Sequence, residues 1–173
     1  MNVAVFEDSR VNQLYPISVA RPAFAISCGG YRLADLLPRL DRPLFQYVRP
    51  HLQQIVAEDE KIRTVPRMLE GLWAFVNARL VPHVRIVDQI RGLLQKGSEC
   101  ALWHNNAVAA AILNFSEPCG WSQQPLDEFL LSEVQRRNVP TLDVRLPLFE
   151  YPHDVVKHHM AIMRDNLEDR ICQ

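Results

Sequence analysis

Strand-like runs alternate with helix-like segments through the first hundred residues, and that order restricts the chain to an α/β architecture. Residues 1–6 (MNVAVF) crowd apolar groups on both faces, as a buried strand does. Residues 44–48 (LFQYV) and 72–76 (LWAFV) are aromatic and β-branched runs of the same kind. Between and after them, apolar residues recur at helical spacing: positions 33, 36, 37 and 40; Leu52, Ile55 and Val56 behind Pro50; then 84, 87, 90 and 94, with Gly97 just past the end. Residues 9–31 are broken by Pro16, Pro22 and Gly29-Gly30 and are expected to be irregular. Residues 100–103 and 107–113 are apolar and joined by His104-Asn105-Asn106. Asn tolerates the left-handed backbone of a tight turn, so this stretch predicts a hairpin. The pattern further predicts a helix over 126–137, a short strand over 141–144 and a last helix over 153–168. The expected sheet is mainly parallel, with one antiparallel hairpin.

Neither an internal repeat nor a Gly- and Ser-rich linker divides the 173 residues, so residues 1–173 read as one domain. Nineteen Lys and Arg residues balance 20 Asp and Glu to a net charge of −1, which gives no field to hold nucleic acid or an anionic membrane; neither is an expected partner. No apolar run approaches the ~20 residues that span a bilayer, and no signal-peptide pattern opens the chain, so the expected compartment is the cytoplasm. Cys28, Cys100, Cys119 and Cys172 form no CxxC pair and read as separate thiols rather than a zinc site. The GxxxxGK[ST] and GxGxxG nucleotide loops are absent, as are GxSxG and HExxH.

In open α/β sheets, ligands bind beyond the carboxyl ends of the strands. Glu7-Asp8 follow the first run and Asn77-Ala78-Arg79 the third. Carboxylates there suit a divalent cation; equally, they suit a solvated turn. Arg21 sits between apolar neighbours in VARPAF and needs an anion or carbonyls. Its planar fork fits phosphate; the other reading is an internal ion pair with Glu7 or Asp8. Asn77 suits a base, a sugar hydroxyl or a metal and Arg79 a phosphate, against plain turn chemistry and a surface charge. Asp154 and His158 share a helix face at a spacing that can hold a metal, but an early-turn carboxylate beside partly exposed histidines explains YPHDVVKHHM as well. Trp73, Trp103 and Trp121, with Phe75 and Phe115, read as core.

VFEDSRVNQLYPISVARPAF, GGYRLADLL, FVNARLVP, NNAVAAAIL and YPHDVVKHHMAIMRDNL, in that order, resemble one family. It is that of the sugar nucleotidyltransferases forming the N-terminal half of bacterial proteins similar to UDP-N-acetylglucosamine diphosphorylase / glucosamine-1-phosphate N-acetyltransferase. The resemblance runs from Asn2 to about Asn166. It implies a Rossmann-like, three-layer nucleotidyltransferase fold and a reaction that joins a nucleoside triphosphate to a sugar 1-phosphate with Mg²⁺. It also implies roles: Asp8 in catalysis and as metal contact, Arg21 in catalysis and phosphate binding, and Glu7, Asn77 and Arg79 as substrate contacts. The family usually continues into a C-terminal left-handed β-helix, so residues 1–173 are expected to be either a single-domain member or the N-terminal part of a longer protein. The place of a Gly-rich, lysine-bearing loop holds EDSRVNQLYPISVARP, and Ala78 and His153 replace a family Gly and Trp. Those departures leave a second expectation open, a non-catalytic sugar-nucleotide-binding or scaffold domain that pairs with a second domain or a second copy of itself.

Overall fold

The structure, a computed structural model, describes residues 1–40, 43–121 and 124–172. The first strand, β1 (Asn2–Phe6), lies at the centre of a six-stranded sheet. Its side chains alternate: Val3 and Val5 enter one buried cluster, Ala4 and Phe6 the other. Both faces of β1 are therefore covered, which is why Val3 to Phe6 are all apolar.

Residues 9–14 form a 3₁₀ turn, and two short strands, β2 (Ser27–Cys28) and β3 (Tyr31–Arg32), pair antiparallel apart from the main sheet. The 33/36/37/40 spacing yields a short helix α1 (Leu33–Leu36), continued as a 3₁₀ turn over Leu37–Leu40 because Pro38 has no N–H to extend an α-helix. Next come β4 (Leu44–Tyr47), α2 (Pro50–Asp59), a two-residue β5 (Arg63–Thr64) and β6 (Met68–Asn77). In α2, Leu52 and Val56 are buried, while Ile55 is exposed. Strand β6 begins four residues before the predicted run, with a register shift at Gly71, which adopts φ +74.

Helix α3 (Val84–Lys96) buries Val84, Val87, Ile90 and Leu94 and ends at Gly97 in the left-handed conformation. The hairpin of β7 (Cys100–His104) and β8 (Ala107–Gly120) turns at Asn105 (φ 45) and Asn106 (φ 62), both left-handed as a two-residue hairpin loop requires. Helices α4 (Leu126–Arg136) and α5 (Asp154–Ile171) complete the chain. The strand expected over 141–144 does not form: only Thr141 makes a single parallel bridge, to Ala101.

The sheet order is β5-β4-β1-β6-β8-β7, with β5, β4, β1 and β6 parallel and β8 antiparallel to β6 and β7. Residues of α1, α2, α3 and α5 join the cluster on one face, those of α4 the cluster on the other. This is the three-layer, mainly parallel α/β fold with one antiparallel hairpin. Among the described residues no helix is long and apolar enough to cross a membrane.

Candidate active site

Strand β1 lies between β4 and β6, with Phe6 level with Tyr47 on one side and Asn77 on the other. Three parallel strands therefore end together, and the residues just past those ends meet. Glu7 and Asp8 leave β1 in opposite directions, as successive residues of an extended chain must. Each is met by an arginine from the neighbouring strand end.

On the β6 side, Asp8 accepts Arg79 Nε on Oδ1 at 2.8 Å, and Arg79 Nη2 and Asn77 Nδ2 on Oδ2 at 2.6 and 2.9 Å. The third guanidinium nitrogen of Arg79 donates to the Phe149 carbonyl at 2.6 Å. Asn77 Oδ1 accepts the Arg79 backbone N–H, and Asn77 Nδ2 also reaches the Val108 carbonyl. Arg79 is 1% exposed and Asp8 7%. On the β4 side, Glu7 accepts the backbone N–H groups of Ala23 and Arg49 at 2.9 and 3.0 Å and the Arg49 Nε at 3.0 Å. Arg49 Nη2 then donates to the carbonyls of Ser18 and Arg21.

The structure thus brings Asp8, Asn77 and Arg79 into one buried cluster and sets Glu7 in a second. The internal pairing weighed for Arg21 falls to Arg49 instead. Arg21 itself is exposed; it lines two shallow grooves, one of about 330 Å³ with Pro22, Arg32 and Glu60, the other of about 450 Å³ with Ile17, Ile26 and Val156. Both oxygens of Asp8 are engaged and its charge is neutralised by Arg79, so Asp8 does not fit as a ligand for a divalent ion. Among the described residues no group of three His, Cys, Asp or Glu side chains could hold one.

An open cleft of about 200 Å³ lies beside the β1 end, lined among others by Asp8, Arg10, Asn106, Asp127, Glu128 and Leu131. Its walls are tied together: the Ser9 N–H donates to Asp127 at 2.9 Å, and Arg10 Nη1 to the Asn105 carbonyl at 2.8 Å. Asn105 in turn donates to Glu150 at 2.7 Å, with His104 Nε2 3.9 Å from the same carboxylate. Burial pushes the His104 imidazole below its ordinary 6.5 against the pull of Glu150, and it does the same to His158. Asp154 takes the backbone N–H groups of Glu150 and Tyr151, both at 2.9 Å. Burial raises its carboxyl, but those N–H groups and the nearby positive charges hold it below 3.8.

Sequence reasoning missed Arg10 and Arg49. A signal for Arg49 was present: YVRP repeats, after the second strand, the Arg-Pro of VARP. For Arg10 the only signal was a basic residue two positions past the acidic pair.

Among solved structures, one from Bacillus anthracis, described as a glucose-1-phosphate thymidylyltransferase in complex with sucrose, superposes with a TM-score of 0.53 at 11% identity, over 95% of this chain and 96% of that one. A 4-diphosphocytidyl-2C-methyl-D-erythritol synthase from Anaerococcus prevotii gives a TM-score of 0.49 at 11% identity, over 95% and 99%. A comparison with curated proteins finds no match. The first likeness shows that the fold is of the nucleotidyltransferase kind. The sequence profile described as sugar nucleotidyl transferase matches residues 3–170. With nearly the whole chain matched and the fold in agreement, this protein belongs to the sugar nucleotidyl transferase family, whose members make nucleotide sugars.

Proposed function

We propose that this chain joins a nucleoside triphosphate to a sugar 1-phosphate at the cleft beside the β1 end. One observation carries the assignment: an open cleft lies between the locked end of β1, the β7–β8 turn and α4, and an arginine with uncommitted donors lines it. An oxygen of the sugar 1-phosphate attacks the α-phosphorus, the bond to the β-phosphate breaks, and pyrophosphate leaves with the bonding electrons. Such a reaction is accelerated by positioning and by neutralising the phosphates. Arg10 uses one nitrogen on Asn105, which aims the rest of its guanidinium at the cleft. Arg21 is the second phosphate contact, at the rim. Asp8 and Asn77 act as positioning residues by fixing Arg79 beneath the cleft. Glu7 does so through Arg49, which holds the loop that carries Arg21. The family generally uses a divalent metal. On this reading Mg²⁺ belongs to the nucleotide, not to a site built by Asp8. A reducing cytoplasm suits a chain whose four cysteines are all unpaired.

Pyrophosphate release, measured with a panel of nucleoside triphosphates and sugar 1-phosphates, tests the proposal. One pair of substrates should turn over, and Arg10→Ala should lower kcat/KM on the order of 10²-fold. Nucleotide binding without release under any pairing would contradict it and favour the non-catalytic reading.

A further inference from the structure

The segment that crosses the sheet end is tied down on both sides of Glu150. Before it, Leu148 forms an antiparallel bridge with Leu80, the Phe149 N–H donates to the Arg79 carbonyl at 2.8 Å, and the Phe149 carbonyl accepts Arg79 Nη1 at 2.6 Å. After it, the Asp154 carboxylate accepts the N–H groups of Glu150 and Tyr151. The backbone of Glu150 is therefore fixed to the same buried Asp8–Arg79 pair that closes the end of β1.

The carboxylate of Glu150 reaches out of that segment to the hairpin. Its Oε1 accepts Asn105 Nδ2 at 2.7 Å, and the Asn105 carbonyl accepts Arg10 Nη1 at 2.8 Å. His104 Nε2 flanks this link, 3.4 Å from Asn105 Nδ2. Amide and carbonyl belong to one turn residue, so holding the first restrains the second. Arg10 lines the cleft, whereas Glu150 stands outside the described residues that line it.

We propose that Glu150 is a positioning residue for Arg10, acting through Asn105 to hold the guanidinium at the cleft before the nucleotide arrives. The inference rests on the reaction proposed above and names what supports its cation. Ordering a long arginine side chain on a ligand costs rotamer freedom, and an anchor already in place removes part of that cost. A two-residue turn is a poor anchor unless it is held itself. Glu150 holds it with a charge-assisted hydrogen bond, stronger than a neutral one, from a segment locked to the sheet.

Pyrophosphate release by the full chain, read as a double-mutant cycle, tests this. Glu150→Ala should lower kcat/KM about tenfold, chiefly by raising KM for the nucleotide. Asn105→Gly keeps the carbonyl and suits the left-handed turn, and it should do the same. The two changes together should lower kcat/KM no further than either alone, and neither should lower it further in Arg10→Ala. Glu150→Gln, which keeps an acceptor oxygen, should recover most of the loss. Without nucleotide, amide exchange at residues 104–107 should quicken in Glu150→Ala while α3 exchanges as before. A full further loss in Arg10→Ala would overturn the proposal, because Glu150 would then act elsewhere. So would turn exchange or turnover that Glu150→Ala leaves unchanged, and those results would leave the reaction standing. No release with any substrate pair would overturn the reaction itself and the positioning role with it.

Discussion

Glu7 and Asp8 are adjacent in sequence and both end in ion pairs with arginine, yet the two pairs hold different things. Asp8 and Arg79 are both buried; Asp8 also accepts from Asn77, which reaches the Val108 carbonyl, and Arg79 donates to the Phe149 carbonyl. These contacts join the ends of β1, β6 and β8 to one another, and Arg79 ties them to the segment that crosses the sheet at Phe149. Arg49, paired with Glu7, is more open and fans out to Ser18 and Arg21. That pair holds a loop. The comparison explains why a strand ends on two carboxylates: the parallel neighbours on either side each deliver an arginine, and one carboxylate turns to each. It also separates structure from ligand chemistry. The charges that the strand ends bring together are committed to one another, whereas Arg10 and Arg21, to which the proposed function gives the phosphates, come from the loops.

The comparison breaks most visibly at Arg79. Removing one member of a buried pair strands the other, which costs roughly 3–5 kcal/mol. Arg79→Ala and Asp8→Asn should each lower the urea midpoint by a corresponding amount, and a change below about 1 kcal/mol would mean the pair is not the lock described here. Arg49→Ala should cost less, about 2 kcal/mol, because its guanidinium is partly hydrated already. Its mark should be local: faster proteolytic cutting within residues 15–22, with the rest of the chain protected to the same degree as before.

A smaller effect depends on pH. Burial holds His104 and His158 below 6.5, so the unfolded chain takes up those protons first. Stability should therefore fall as pH drops through 6.5 and level off once the folded histidines are also protonated. Changing both to Gln should flatten that part of the urea-midpoint profile. Asp154 acts in a separate window: its carboxyl is held below 3.8, so its contribution is present above that pH and is lost as pH falls further. The smallest effect on stability belongs to Arg21→Ala, within about 0.5 kcal/mol, because the side chain is exposed. The same change should nevertheless weaken nucleotide binding roughly tenfold, about 1.4 kcal/mol, as measured by calorimetry.

Much of this architecture can be read in the sequence where one segment carries its own signal. Helix α3 shows its buried face at 84, 87, 90 and 94 and its stop at Gly97. The hairpin shows its turn in two asparagines, and β1 its double burial in an unbroken apolar run. What cannot be read depends on register between distant segments. Nothing local tells that Asn77 lies level with Phe6, so Arg79 could not be matched to Asp8, nor Arg49 to Glu7. The same applies to β5, two exposed residues that are a strand only because Gln46 and Phe45 lie beside them. Conversely, residues 141–144 look like a strand but make a single β-bridge to the sheet, Thr141 to Ala101. In the site, polar groups at strand ends were legible as a place; which of them face one another and which face solvent was set by three strands ending together.

In the proposed function the loop arginines meet the phosphates and the strand-end charges build the floor beneath them. Thermal unfolding of the chain with Mg²⁺ and each nucleoside triphosphate in turn, for the unsubstituted protein and Arg10→Ala, tests that most directly. A nucleotide bound to the folded state at about 100 times its Kd adds about 2.7 kcal/mol, a plain rise in Tm. One nucleotide should raise the Tm of the unsubstituted chain, and Arg10→Ala should abolish that rise without lowering the Tm in its absence. A rise that Arg10→Ala leaves intact, or no rise with any nucleotide, would contradict the account.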